Sequence, residues 1–257
     1  MSATPQPGSS AETPPVAAEV WALPKEGEGM EAYEDAARTR TDPWPVRAAV
    51  ADGATESAFS AAWAERLTRG LVDQGTTTPE ALRDAVPGWQ ADWHEAIRGR
   101  AEAKPWYVAA KAAEGAFAAL LGLSLRADGS WRAVSVGDCC LFQVRDGALV
   151  RSWPFGAAEA FTNRPALVPS VSSRTLPAPK AATGDWTPGD SFLLTTDAVA
   201  AWLLDADSPI GPADVEAGDE TAFRKAVKQA RADESLRNDD TTLLVVRSAE
   251  GHDAHEL

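Results

Sequence analysis

Acidic residues occupy most of the positions in this chain that could do chemistry. Asp52 closes the run Val46-Arg47-Ala48-Ala49-Val50-Ala51-Asp52-Gly53, and Asp138 closes Val134-Ser135-Val136-Gly137-Asp138. Asp197 closes Phe192-Leu193-Leu194-Thr195-Thr196-Asp197, and Asp239 opens Asp239-Asp240-Thr241-Thr242-Leu243-Leu244-Val245-Val246. Carboxylates at the ends of neighbouring strands converge on one spot. A cluster of oxygen donors without His or Cys suits a hard cation such as Mg2+ or Mn2+. The histidines His94, His252 and His255 fall on a predicted helix and in the C-terminal tail. The sequence has no Ser-His-Asp, P-loop or Cys-nucleophile pattern.

Each acid also has an ordinary structural reading. Asp-Gly is a standard turn dipeptide. Asp138 can serve as a turn residue, and Asp197 can N-cap the helix that follows it. Asn238, Asp239 and Asp240 are consecutive, so a one-residue slip exchanges Asp239 for Asp240 as the inward-facing acid.

Several elements must position these groups. Residues 1–17, rich in Pro, Ser, Ala and Thr, read as a flexible tail, 18–248 as one domain and 249–257 as a polar tail. Strands are predicted over 18–23, 31–39 and 45–51. Alternation along 31–38 would put Glu34 and Asp35 on opposite faces of a strand. Phe59, Trp63, Leu67 and Leu71 recur every four residues, which predicts a helix. A second helix is predicted over 79–103, carrying Leu82, Val86, Trp89, Trp93 and Ile97 and kinked or broken at Pro87-Gly88. Strands follow over 116–126, 131–136 and 141–145, with a hairpin signal at Asp146-Gly147. Residues 153–190 read as irregular, a flap or a surface loop. A strand over 191–196, a helix over 199–204, a charged helical stretch over 212–233 and a strand over 242–247 complete the chain. This order suggests antiparallel sheets covered by helices.

Composition excludes several functions. The net charge of −14, with no Lys/Arg cluster, argues against nucleic acid as a partner. No stretch is long and apolar enough to span a membrane, and the N-terminus has no signal-peptide pattern. Cys139 and Cys140, the only cysteines, can form neither a disulfide framework nor a zinc cluster, and they read as buried strand residues. A monomer in a reducing cytoplasm is the expectation.

The order of the acidic segments resembles the type 2C metal-dependent Ser/Thr protein phosphatases. The residues that carry the resemblance are Glu34-Asp35, Val50-Ala51-Asp52-Gly53, Val136-Gly137-Asp138, Pro188-Gly189-Asp190 with Thr196-Asp197-Ala198, and Asp239-Asp240-Thr241-Thr242. They span residues 20 to 247. The resemblance implies an α+β fold, a four-layer α-β-β-α sandwich with two stacked, mainly antiparallel sheets. It implies two or three Mg2+ or Mn2+ ions held by Asp52, the Gly53 carbonyl, Asp197 and Asp239, with Asp138 at a third ion. Glu34 and Asp35 would act mainly through metal-bound water. Counting back from Thr242 puts Asp239 at the ligand position. Asp52 would be the central catalytic residue, acting through metal-activated water on phosphoserine or phosphothreonine, with no covalent enzyme intermediate. A phosphoprotein substrate of a cognate Ser/Thr kinase is the implied partner.

The chain departs from the family pattern at several auxiliary positions. The phosphate-gripping Arg before the acidic pair is Met30, and the nearest upstream base is Lys25. The His after Asp-Gly is Ala54, the Gly after Thr-Asp is Ala198, and Ser-Arg after Gly-Asp is Cys139-Cys140. These departures keep two alternatives open beside a slow phosphatase: a non-catalytic phosphatase-like binding module, and a phosphohydrolase of small phosphate esters.

Overall fold

The structure, a computed structural model, describes residues 14–55, 57–102, 106–162 and 164–249, with only the backbone given over 101–102 and 106–109. Strands β1 (Val16–Leu23), β2 (Ala36–Arg40) and β3 (Val46–Gly53) precede helices α1 (Ser60–Gln74), α2 (Pro79–Glu102) and α3 (Trp106–Glu114). Then come β4 (Phe117–Leu125), β5 (Ser130–Val136), β6 (Cys140–Arg145), β7 (Ala148–Trp153), β8 (Val168–Pro169), β9 (Lys180–Asp185) and β10 (Ser191–Thr195). Helices α4 (Asp197–Leu204), α5 (Pro212–Ala217) and α6 (Glu220–Ala232) lead to the last strand, β11 (Thr241–Ser248).

The strands form two sheets, in the orders β1-β11-β10-β6-β7 and β2-β3-β4-β5-β9, with β8 added beside β4. Every pairing is antiparallel. Successive side chains on a strand point to opposite faces, and this alternation sorts the apolar residues. Val46, Ala48 and Val50 of β3 meet Phe192 and Leu194 of β10 and Leu244 and Val246 of β11 between the sheets. Ala49, Ala51 and Leu120 turn the other way, onto Trp63, Leu67 and Leu71 of α1 and Trp89 and Trp93 of α2. Leu193, Leu243 and Val245 turn onto Val199 and Trp202 of α4 and Phe223 and Val227 of α6. These three apolar interfaces separate four layers, so the fold is the α-β-β-α sandwich.

Several local expectations change. Residues 31–35 are not strand, and β2 starts only at Ala36, which pairs with Ala51. The backbone N–H of Glu34 is taken by the Asp240 carboxylate, 2.8 Å away, so it cannot join a ladder. Helix α2 runs through Pro87 unbroken, because its buried stripe of Leu82, Val86, Trp89 and Trp93 is anchored in the same core on both sides of the proline. The stretch 153–190 is not wholly irregular: β9 lies within it and pairs with β5 along Lys180–Asp185. The charged stretch 212–233 is two helices, parted at Gly218, and α3 adds a helix the periodicity did not suggest. At the N-terminus, Val16 and Ala17 belong to β1, paired with Ser248 and Arg247, rather than to a tail. Residues 1–13 and 250–257, most of both expected tails, lie outside the described residues. The Asp146-Gly147 hairpin forms as expected, with φ of 51° and 69°, the left-handed pair a two-residue turn requires.

Candidate metal centre

Strand alternation delivers side chains to one end of the space between the sheets. The parity that sends Val46, Ala48 and Val50 inward continues to Asp52 at the end of β3. On β10 it leads from Phe192 and Leu194 to Thr196, and on β11 back from Val246 and Leu244 to Thr242. The hydroxyls of Thr196 and Thr242 donate to the same Asp35 oxygen, Oδ2, at 3.0 and 2.7 Å. Thr242 N–H donates back to Thr196 Oγ1 at 3.1 Å, which ties the two strand ends together. The Tyr33 hydroxyl rests on Thr242 Oγ1 and on the Thr241 carbonyl.

Asp35 is thus fixed in the interior although it lies on no strand. Burial pushes its carboxyl up to about 8, with Asp240 and Asp197 adding to the shift and the two threonines opposing it. Burial also holds Asp52 well above the ordinary carboxylate range, reinforced by Asp35, Asp197 and Asp138 and by a hydrogen bond shared with Asp197. Asp138 is pushed up to about 7 by burial and then by Asp197. Asp197 thus acts on Asp35, Asp52 and Asp138 alike, which places the four acids in one cluster. Like charges packed this closely favour either protons or a cation among them.

Two basic side chains reach the outer acids. Arg237 Nη2 lies 2.5 Å from Asp197 Oδ2 and 2.9 Å from Asp239 Oδ2. Lys25 Nζ lies 3.4 Å from both Glu34 and Asp239 and donates to Thr55 Oγ1 at 2.8 Å. Ser60 Oγ donates to the other Glu34 oxygen at 2.5 Å. Asp240 does something different. It is buried, and its two oxygens accept the backbone N–H groups of Lys25 and Glu34 at 2.9 and 2.8 Å, so it braces the loop before β2.

Each sequence candidate therefore has a place. Asp52, Asp138, Asp197 and Asp35 cluster, while Asp239 and Glu34 stand at the rim, joined to the cluster through Arg237 and Lys25. Asp197 is not an N-cap: it is the first residue of α4, the cap position is Thr196, and the Asp197 carboxylate goes to Arg237. The absent Cβ of Gly53 admits backbone. A Cβ there would lie 2.6 Å from the Glu34 carbonyl oxygen and 3.0 Å from the carbonyl carbon of Ser60. Cys139 and Cys140 are fully buried in different cores, and burial pushes the Cys140 thiol up to about 12 and Cys139 well above its usual value. Met30 is 58% exposed and brings no charge to these acids.

Sequence reasoning did not find Thr196, Thr242, Tyr33 or Arg237. The threonines had a usable signal, since each continues an inward-facing alternation, but no local pattern shows that Arg237 reaches back to Asp197.

The donor set, carboxylates backed by hydroxyls and backbone carbonyls, fits hard divalent cations. Among the described residues, however, no three acidic, imidazole or thiol groups close around a single point as finished metal ligands do. Asp197, Asp239 and Glu34 are held instead by the guanidinium and the ammonium.

Residues 30–237 match the family model of protein phosphatase 2C, well over half of the chain. The chain belongs to the protein phosphatase 2C family. The match ends at Arg237, two residues before Asp239. Solved structures share the fold. PppA, described as a key regulatory component of the type VI secretion system (T6SS) in Pseudomonas aeruginosa, superposes with a TM-score of 0.58 at 19% identity, covering 91% of this chain and 97% of that one. The Mycobacterium tuberculosis serine/threonine phosphatase PstP/Ppp gives a TM-score of 0.58 at 17% identity, covering 91% and 99%. A catalytic domain of PstP, solved with two manganese ions, gives a TM-score of 0.59 at 15% identity over the same shares. No curated protein matches the chain in sequence. Among the described residues, no helix is long and apolar enough to cross a membrane.

Proposed function

We propose that this chain is a metal-dependent phosphatase that hydrolyses phosphoserine and phosphothreonine on proteins. The observation that carries the reading is the cluster of Asp35, Asp52, Asp138 and Asp197, in which Asp35, Asp52 and Asp138 are each driven up by burial and by neighbouring acids. When ionised, such a cluster costs stability unless a cation occupies it, and carboxyl groups perturbed in this way collect at functional sites.

In this reading Asp52, Asp197, Asp239 and the Gly53 carbonyl would hold two Mg2+ or Mn2+ ions, and Asp138 would assist a third. When bound, the ions supply Lewis-acid stabilisation of phosphoryl charge and activate a water. The chain's own residues do the positioning. Asp52, acted on by Asp35, Asp197 and Asp138, would be the central ligand. Thr196 and Thr242 fix Asp35. Asp240 holds the loop that carries Glu34. Ala54 brings no proton donor beside Gly53, and Met30 brings no charge, so turnover is slow and substrate affinity weak. The buried free thiols suit a reducing cytoplasm.

One observation favours a second reading, a phosphatase-like module that binds a partner without catalysis: the outer acids are already paired with Arg237 and Lys25. Calorimetry with Mn2+, followed by hydrolysis of an aryl phosphate and a phosphopeptide with and without chelator, separates the two. Chelator-sensitive phosphate release is expected. Mn2+ binding without release from either substrate would overturn the catalytic reading.

A further inference from the structure

Arg237 lies in the loop between α6 and β11, yet its guanidinium joins acids from two separate segments, Asp197 at the start of α4 and Asp239 before β11. Among the described residues, no other basic side chain pairs with Asp197. The Arg237 side chain is 57% exposed, against 16% for Asp197, so it reaches in from solvent and is free to leave the same way. Lys25 differs: its side chain is 15% exposed and is held by Glu34, Asp239 and Thr55 together. Arg237 also walls a cavity of about 200 Å3, shared with Phe161, Trp202, Asp205 and Ser235, which opens beside Asp197.

We propose that Arg237 is the resident counter-ion of the acidic cluster, that a divalent cation must displace it, and that the displaced guanidinium then binds the substrate phosphate. The proposal rests on the reading of the cluster as a phosphatase metal centre. In the metal-free protein, the paired charges of Asp197 and Asp239 hold Arg237 in place. A dication on those carboxylates cancels most of that attraction. The planar fork of N–H donors that fits a carboxylate also fits a phosphate. An exposed side chain beside a cavity at the rim can make that exchange by rotation alone.

The test uses the full chain with Arg237→Gln and Arg237→Lys. Mn2+ is titrated calorimetrically into the metal-free protein, and inorganic phosphate is then titrated into the Mn2+-loaded protein. Arg237→Gln should bind Mn2+ about tenfold or more tightly than wild type, because a charge-assisted competitor is gone. It should bind inorganic phosphate about tenfold more weakly. Arg237→Lys, which keeps the charge without the fork, should fall between them in both. Unchanged or weaker Mn2+ affinity in Arg237→Gln overturns the counter-ion role, and unchanged phosphate affinity overturns the phosphate role. A wild type that binds Mn2+ but releases phosphate from neither an aryl ester nor a phosphopeptide sinks the catalytic reading and leaves the Arg237 comparison standing. A wild type that fails to bind Mn2+ beside an Arg237→Gln that binds it supports the counter-ion role directly. If neither binds Mn2+, both ideas fall.

Discussion

Strand β10 has an aspartate just outside each end, and the two acids live in opposite environments. Asp190, before Ser191, is fully buried and enclosed by donors. Arg145 Nε and Nη2 donate to it at 2.7 and 2.8 Å, Gln143 Nε2 at 2.7 Å, and Thr187 N–H at 3.1 Å. Burial alone would raise its carboxyl, but these partners reverse the sign and hold it below the usual range. Asp197, after Thr196, faces Asp52, Asp35 and Asp138, and those three are all pushed upward. The acid with its own protein donors serves the fold: it knots β6, β10 and the turn before β10. At the other end the donors are fewer: Asp35 accepts two threonine hydroxyls and Asp197 the half-exposed Arg237, and neighbouring acids outweigh them. The same residue type, flanking the same strand, is enclosed by donors at one end and crowded by other acids at the other.

The contrast is most sharply broken at Asp52. Asp52→Asn should lower Mn2+ affinity by more than about 100-fold, a larger loss than is typical for a residue that merely supports a metal ligand. It should not lower the thermal midpoint of the metal-free protein, since it removes a repelled charge. Unchanged Mn2+ stoichiometry in this variant would sink the assignment.

The pH dependence should differ in sign between the two ends. Asp35 and Asp138 rise from 3.8 to about 8 and about 7. In the metal-free protein the folded state therefore keeps protons that the unfolded chain has already released. Their contribution to stability is complete below about pH 4 and is lost as pH rises through about 7 and 8, with a slope on the order of 1 kcal/mol per pH unit per proton. Asp190 behaves inversely: its contribution is present above the ordinary carboxylate pKa and is lost as pH falls through its depressed value. Denaturant titrations from pH 4 to 8 should show metal-free stability declining, with a flatter slope in Asp35→Asn and when Mn2+ is present. A slope of the same size in Asp35→Asn would contradict this account.

Asp190→Ala should cost about 2–3 kcal/mol of stability, at or below the lower end for a broken buried pair, because the abandoned Arg145 can still reach water. Its Mn2+ affinity should match wild type. Reduced metal binding with unchanged stability would reverse the roles assigned to the two ends.

The smallest effect separates neighbours. Asp240→Asn should cost about 1 kcal/mol of stability, because an amide can still accept one of the two backbone N–H bonds that the carboxylate accepts now. Asp239→Asn should leave stability nearly unchanged and reduce Mn2+ affinity more than Asp240→Asn does. Equal metal affinities in the two variants would show that the register at the start of β11 has been misjudged.

Much of this is legible in the sequence. The alternation of Val46, Ala48 and Val50 points at Asp52, and the four-residue spacing of Phe59, Trp63, Leu67 and Leu71 marks α1, because burial imposes those periods directly. The sequence pattern reads Glu34 and Asp35 as strand residues and cannot show that the Glu34 N–H is claimed by Asp240, more than 200 residues away in sequence. Continuity through Pro87 likewise depends on packing against α1, which outweighs the local cost of the proline. The pairing of Arg237 with Asp197 spans 40 residues and leaves no periodic trace.

The two adjacent thiols have a practical consequence. Cys139 and Cys140 turn into different cores, both wholly hidden from solvent, and their raised pKa values leave almost no reactive thiolate at neutral pH. Toward maleimides the native molecule therefore behaves as though it had no cysteine. A single Cys placed at the exposed position of Met30 would take up one fluorophore or spin label in a fixed ratio. It would report from the outer edge of the loop that carries Glu34 and Asp35, with no background signal to subtract.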